Sequence, residues 1–192
     1  MSKVKFWTVQ KRSVYETINE MGIYYPDFRL SDSFSDIQDL DQIYDFFLQS
    51  FNRNNDCDYD GLVFTFAGVV GDTIYIPGTY EVFKEMMIGS VHAVSSCWSR
   101  LIASDSVVLC VEKEMNFNPI FIDYNDYSFI IPPVEILPPY TEEDTHRIFD
   151  IVCNGLVKQS IFSSNLMQCH IPYIAKEEVV GVYPTFTLEE KN

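Results

Sequence analysis

The sequence predicts an α+β protein in which a mixed or antiparallel sheet is packed with helices on one side. Runs of apolar and aromatic residues typical of strands occur between segments whose apolar residues recur at helical spacing. The two kinds of segment do not alternate strictly, as they would in a doubly wound parallel sheet. With 192 residues, of which 47% are hydrophobic, the chain can bury the core of one domain.

The first strand and helix follow from local signals near the start of the chain. Residues 4–9 are rich in β-branched and aromatic side chains, which favours a strand. Ser13 and Glu16 have capping-box spacing, in which each side chain satisfies a free backbone N–H at a helix start. Gly22 can adopt the left-handed conformation that ends a helix. We therefore expect a helix over 14–21.

The later elements follow from the same two periodicities. Turn residues lie at 52–56, 77–78 and 125–126, and the last of these turns favours a hairpin. The predicted helices lie at 41–51, 80–88 and 91–103, and the predicted strands at 62–66, 74–76, 107–111, 120–124 and 127–131.

A proline-rich segment marks the predicted boundary within the chain. Four prolines between 132 and 139 remove backbone donors and restrict φ, so neither a helix nor a central strand can form there. We therefore predict an α+β domain at 1–131, a connector at 132–140, and a helical extension at 141–192 packed on the same domain. One strand candidate, 179–183, lies within that extension.

Charge and cysteine usage narrow the classes of function. The 28 acidic and 13 basic residues give a net charge of −15, which should repel nucleic acid and anionic membrane surfaces. No apolar run is long enough for a membrane-spanning helix. The five cysteines are widely spread and lack metal-ligand spacing, so we expect a reduced cytosolic protein.

Short motifs along residues 4–131 resemble an uncharacterised bacterial family that is known only as a domain of unknown function. The resemblance covers an opening Phe-Trp-Thr-Val-Gln strand at 6–10, a helix ending at Gly22, and the block Tyr-Asp-Phe-Phe at 44–47. It continues with the strand Leu-Val-Phe-Thr-Phe at 62–66 and the paired strands around 108–112 and 122–127. The resemblance implies no activity, cofactor or catalytic residue.

The strongest functional signal is a concentration of carboxylates between residues 31 and 60. Eight aspartates and one arginine give this segment −7 of the total −15. Such a surface can steer a basic partner towards it, although an acidic solubilising face is the alternative. We predict a non-enzymatic protein that inhibits a nucleic-acid-binding partner by occupying the basic surface of that partner. The predicted context is a phage or a defence system. The predicted contact residues are Asp32, Asp36, Asp39, Asp41 and Asp45, with Phe34, Tyr44 and Tyr59 as aromatic anchors.

Calcium is the one cofactor for which the sequence carries a signal. Asp56, Asp58, Asp60 and Gly61 have the spacing that begins a calcium-binding loop, in which alternate oxygens converge on one ion. The twelfth loop position is Ala67, where a bidentate glutamate should lie. An aspartate-rich surface turn is therefore the alternative interpretation.

An NAD-linked enzymatic activity is the alternative prediction. The opening strand and helix resemble those of ADP-ribosyltransferase-like folds, and this resemblance implies an NAD-linked activity. Thr8 or Gln10 would then lie near the cofactor, with Glu112 or Glu114 supplying the acid. Plain alternation along the strand instead places Trp7 in the core and directs Thr8 and Gln10 outward.

Overall fold

A computed structural model of the protein describes residues 3–30, 40–71, 73–124 and 165–188. The α-helices are α1 (Arg12–Met21), α2 (Leu40–Asn55), α3 (Tyr80–Gly89) and α4 (Val91–Ala103). The strands are β1 (Lys3–Lys11), β2 (Ile23–Tyr24), β3 (Val63–Val70), β4 (Thr73–Tyr75), β5 (Ser106–Glu114), β6 (Ile120–Asp123), β7 (Leu166–Ile171), β8 (Ile174–Ala175) and β9 (Val179–Pro184). Short 3₁₀ turns lie at Phe28–Leu30 and Lys176–Glu178.

The fold is built on one antiparallel sheet. Six of its seven strands lie in the order β6-β7-β3-β1-β5-β9, and the seventh, β4, pairs with the end of β3. β2 and β8 form a separate two-stranded antiparallel sheet. Together with the four helices, this arrangement confirms the predicted α+β class.

The centre of the core lies around β1, which is buried on both sides. Trp7 is opposite Phe66 of β3 and Cys110 of β5 in the strand register. Its ring stacks on Phe83 of α3 at 5.3 Å between centroids, and its indole N–H donates to the carbonyl of Pro77 at 2.6 Å. Satisfying the indole donor allows the largest apolar side chain to be buried without leaving a polar group unpaired.

Helices cover both faces of the sheet. The face that carries Trp7 packs against α3 and α4, and also against the phenylalanines of α2. α1 lies on the opposite face, where Ile18 packs with Phe6. The expectation of helices on one side therefore holds for three helices and is corrected for α1, because β1 places apolar residues on both of its faces.

The ends of α1 show one incorrect and one confirmed prediction. The helix begins at Arg12, directly after β1, and no side chain caps it, so the capping box of Ser13 and Glu16 does not form. Arg12 is instead held by Asp105, which accepts from its guanidinium at 3.0 Å. At the other end Gly22 has φ of 82°, and its N–H donates to the carbonyl of Ile18.

The chain beyond residue 164 contributes strands to the sheet. β7 lies between β3 and β6, and β9 pairs with β5. The predicted helical extension at 141–192 is therefore corrected for residues 165–188, whereas the strand candidate at 179–183 is confirmed as β9. The predicted strand at 127–131, the connector at 132–140 and the helix beginning near 141 lie outside the described residues. Among the helices that the structure describes, none has the length and apolarity needed to cross a membrane.

Candidate binding surface

Three tyrosines from distant parts of the chain meet beside the small β2–β8 sheet. Tyr25 directly follows β2 and Tyr173 directly precedes β8, so the strand register brings the two residues opposite each other. Their ring centroids are 5.5 Å apart, and Tyr59 lies 6.3 Å from each. We call Tyr25, Tyr59 and Tyr173 the tyrosine cluster.

Asn52, near the end of α2, holds the loop that carries Tyr59. The Asn52 Oδ1 atom accepts from the backbone N–H of Tyr59 at 3.1 Å, and its Nδ2 donates to the carbonyl of Tyr59 at 2.9 Å. The predicted turn at 52–56 is therefore corrected: α2 continues to Asn55, and Asp56 makes the turn with φ of 50°. These bonds fix the direction in which Tyr59 leaves the helix.

The same loop packs closely on the chain after β2. A Cβ atom at Gly61 would lie 2.7 Å from the carbonyl oxygen of Pro26, so no larger residue fits there. The backbone N–H of Phe28 donates to the carbonyl of Asp60 at 3.0 Å. Gly61 is thus required by this backbone contact, which explains it without a calcium loop.

Four aspartates lie close in the chain to Tyr25 and Tyr59: Asp27, Asp56, Asp58 and Asp60. The Arg29 guanidinium donates to both carboxylate oxygens of Asp27 and lies 3.2 Å from Asp60. These hydrogen bonds lower the pKa of Asp27 below its usual value. Asp56 and Asp58 are exposed and make no ion pair with the residues that the structure describes. We call the tyrosine cluster and these four aspartates the tyrosine–aspartate surface.

The three aspartates of the predicted calcium loop do not converge. Asp56, Asp58 and Asp60 are all exposed, and Asp60 is engaged by Arg29. Within the described ranges, no group of three His, Cys, Asp or Glu side chains is placed to hold a metal ion. Calcium requires six to eight oxygen ligands at short range. Calcium binding here stays a prediction from the sequence.

A buried ion pair fixes Tyr173 from beneath. The Lys113 side chain is 1% exposed, and its ammonium lies 2.5 Å from a carboxylate oxygen of Glu178 and 3.7 Å from the centroid of the Tyr173 ring. Burial lowers the pKa of Lys113, and the hydrogen bond to Glu178 opposes that shift. Tyr173 therefore already binds one cation, from this chain, on one of its two faces.

The other predicted contact residues lie away from the tyrosine cluster or outside the described residues. Tyr44 packs on Phe64 at 4.6 Å near the start of α2, at the opposite end of that helix from Tyr59. Asp45 is half-buried and accepts a hydrogen bond from Gln49 at 3.0 Å. The structure therefore does not join Tyr44 and Asp45 to the tyrosine cluster. The remaining predicted residues, Asp32, Phe34, Asp36 and Asp39, lie outside the described residues, as does the side chain of Asp41.

The residues of the NAD-linked alternative are not brought together. Thr8 is fully buried and donates to the carbonyl of Phe64 at 2.6 Å, which corrects the expectation that it faces outward. Gln10 donates to the Thr8 hydroxyl on the same side of β1. The strand register places Glu112 and Glu114 on the opposite face of the sheet.

A second buried titratable group lies in the middle of β7. His170 is fully buried against the rings of Phe47 and Phe64, and its Nδ1 atom is 3.3 Å from the carbonyl of Ile120. Burial lowers the pKa of His170 to about 3, so the ring is neutral at physiological pH. Among the described residues, neither His170 Nε2 nor Gln168 Oε1 has a hydrogen-bond partner.

An open groove lies between the end of β3 and α3. It has a volume of about 370 Å³ and is lined mainly by apolar side chains, including the exposed Val70 and Val82. Glu85 is the charged residue among its lining residues. Tyr75, Ser90 and Asn165 are the polar uncharged residues of its lining.

Comparisons with known proteins assign no relative. No protein-family model, curated protein or solved structure matches the chain. The resemblance of residues 4–131 to a domain of unknown function therefore stays a prediction.

Proposed function

We propose that this chain is a non-enzymatic, cytosolic binding protein whose tyrosine–aspartate surface receives a basic surface of a partner protein. The observation that carries this proposal is the tyrosine cluster together with the three exposed aspartates that flank Tyr59 in the chain. Tyr25 is 56% exposed, so its ring is accessible to a partner. Tyrosine is enriched among the residues that dominate binding energy at interfaces.

The chemistry of the surface favours cations as its ligands. Arginine and lysine side chains bind over aromatic faces and pair with carboxylates at the same time. Tyr173 already holds the Lys113 ammonium in this way within the chain. The alternating carboxylates of Asp56 and Asp58 present negative charge at short intervals, as a phosphate backbone does. The partner is accordingly a nucleic-acid-binding protein, which this chain inhibits by occupying its basic surface.

The experiment measures binding of the full chain to an arginine-rich peptide by fluorescence anisotropy at increasing salt. Binding is expected to weaken as salt rises, and single-stranded DNA is expected to displace the chain by competing for the peptide. Changing Asp56, Asp58 and Asp60 together to Asn should weaken binding by about tenfold, since exposed ion pairs contribute about 0.5 kcal/mol each.

The matched control neutralises three exposed glutamates elsewhere. Changing Glu16, Glu20 and Glu81 together to Gln alters the net charge equally but leaves the tyrosine–aspartate surface intact. This control should bind like the wild type apart from a small general loss. Equal losses in the two triple variants would show that only net charge matters and would contradict a defined surface.

A further inference from the structure

We propose that Arg29 is an internal competitor for the tyrosine–aspartate surface, because its side chain occupies two carboxylates that an arginine of the partner takes over on binding. Arg29 pairs with both Asp27 and Asp60. This inference rests on the proposed function, since it concerns how cations reach that same surface. The contact is autoinhibitory, because the partner has to displace Arg29 before it can use both carboxylates.

The contact between Arg29 and Asp27 has the geometry by which arginine recognises a carboxylate. The Nε atom of Arg29 donates to one carboxylate oxygen of Asp27 at 2.9 Å, and Nη2 donates to the other at 2.8 Å. The same Nη2 atom lies 3.2 Å from a carboxylate oxygen of Asp60. A planar guanidinium forms this two-pronged contact and a lysine ammonium does not. The two aspartates therefore form a guanidinium site that is filled by the chain's own arginine.

The backbone holds the two aspartates together without the Arg29 side chain. The backbone N–H of Phe28 donates to the carbonyl of Asp60 at 3.0 Å, which joins the two segments of chain. The Asp27 carboxylate also accepts a hydrogen bond from the backbone N–H of Arg29 at 2.9 Å. Asp27 therefore keeps its direction when the guanidinium leaves, and an incoming arginine meets a site that is already formed.

Solvent exposure allows a partner to displace Arg29. The side chain of Arg29 is 72% exposed and that of Asp60 is 66% exposed, so water and salt screen the pair and it adds little to stability. A single cation gains little by replacing an arginine that is tethered to the site. A segment with several arginines also reaches the tyrosine cluster and the other aspartates, so its contacts add up. Arg29 therefore favours arginine-rich partners over scattered positive charge.

The experiment measures binding of the arginine-rich peptide to the full chain carrying Arg29→Gln. The affinity should rise about fivefold, because the peptide no longer has to displace a guanidinium. Arg12→Gln is the matched control, since it removes the same charge from a comparable exposed pair with Asp105 at the start of α1, and its affinity should rise only slightly. In a chain that also carries Asp27→Asn, Arg29→Gln should give a much smaller gain, because the carboxylate that it frees is gone.

Nuclear magnetic resonance of the arginine side chains gives a readout in the wild type. The Nε–H of Arg29 donates to Asp27 and should exchange with water faster once the peptide is bound, while that of Arg12 should not change. An unchanged Arg29 Nε–H in the complex, or equal gains for Arg29→Gln and Arg12→Gln, would overturn this inference and leave the proposed function standing.

Two further outcomes separate the possible causes of failure. A peptide that binds neither the wild type nor Arg29→Gln would overturn the proposed function and this inference with it. A large loss of stability in Arg29→Gln, measured by urea unfolding, would show that Arg29 holds the loop in place, and would overturn this inference alone.

Discussion

Two regions of the sheet bury a titratable side chain, and they do so in opposite ways. On β5, Lys113 stays beside a carboxylate and an aromatic face, so its charge is balanced. On β7, His170 is surrounded by phenylalanine rings and one carbonyl, so its ring stays neutral. The first arrangement preserves a charge by supplying partners, and the second avoids the charge.

The contact partners of Lys113 and His170 come from different parts of the chain. The partners of Lys113 are Glu178 and Tyr173, so the ion pair ties the 3₁₀ turn at Lys176–Glu178 to β5 and to the tyrosine cluster. His170 contacts α2, β3 and β6 through Phe47, Phe64 and the carbonyl of Ile120. Changes at the two sites should therefore differ in size, in pH dependence and in their effect on the binding surface.

The largest expected effect is the loss of the carboxylate beside Lys113. Glu178→Gln leaves a buried ammonium without its counter-charge, and we expect the free energy of unfolding to fall by about 3 kcal/mol. Lys113→Met should lower the free energy of unfolding by only about 1 kcal/mol. The Glu178 side chain is 19% exposed, so water can reach the carboxylate that remains. Urea unfolding at neutral pH measures both values. Equal losses would mean that packing, and not the unpaired charge, sets the cost.

An effect of intermediate size, about 1.4 kcal/mol, is expected in mild acid at about pH 5.5. The unfolded chain protonates His170 near pH 6.5, whereas burial holds the pKa in the folded state to about 3. Between these values the unfolded state binds one more proton, so the stability that is fully present above pH 6.5 falls as the pH is lowered. The expected slope from this residue is about 1.4 kcal/mol per pH unit.

The measurement compares urea unfolding between pH 4 and 7 in the wild type and in His170→Phe. The variant keeps a ring between Phe47 and Phe64 and should lose that part of the slope. His92→Phe changes an exposed histidine and should retain it. If His170→Phe leaves the slope unchanged, the buried ring takes up a proton in the folded state and the contrast with Lys113 fails.

Much of the fold could be predicted from the sequence, because most elements have one strongly patterned face. α4 occurs over the predicted range 91–103, and β1, β3, β5 and β6 lie within a few residues of their predictions. β7 was missed because Gln168 and His170 occupy buried positions on one face of the strand, where alternation leads one to expect apolar residues. Polar residues at buried positions break the alternation of apolar and polar residues by which a strand is predicted.

The candidate surface was only partly predictable. The carboxylate concentration indicated Tyr59, but Tyr25 and Tyr173 reach it through the pairing of β2 with β8, a contact between residues far apart in sequence. Their local signal is that each adjoins a proline, Pro26 or Pro172, which is typical of a chain leaving a strand. The spacing around Gly61 predicts either a calcium loop or a surface turn, whereas the structure explains this glycine by its close contact with the Pro26 backbone.

The smallest expected effect comes from a variant that tests whether β7 buries a polar atom without a hydrogen-bond partner. Gln168→Met removes a buried acceptor that has no partner among the described residues, and we expect it to raise the free energy of unfolding by about 1 kcal/mol. Gln10→Met is the matched control, because Gln10 donates to Thr8 at 2.8 Å and its loss should lower stability by a similar amount. Opposite signs in urea unfolding would show that β7, unlike the paired site of Lys113, leaves polar groups unsatisfied. A destabilised Gln168→Met would mean that a bound water or ligand satisfies this oxygen, and the two regions would then both rely on partners.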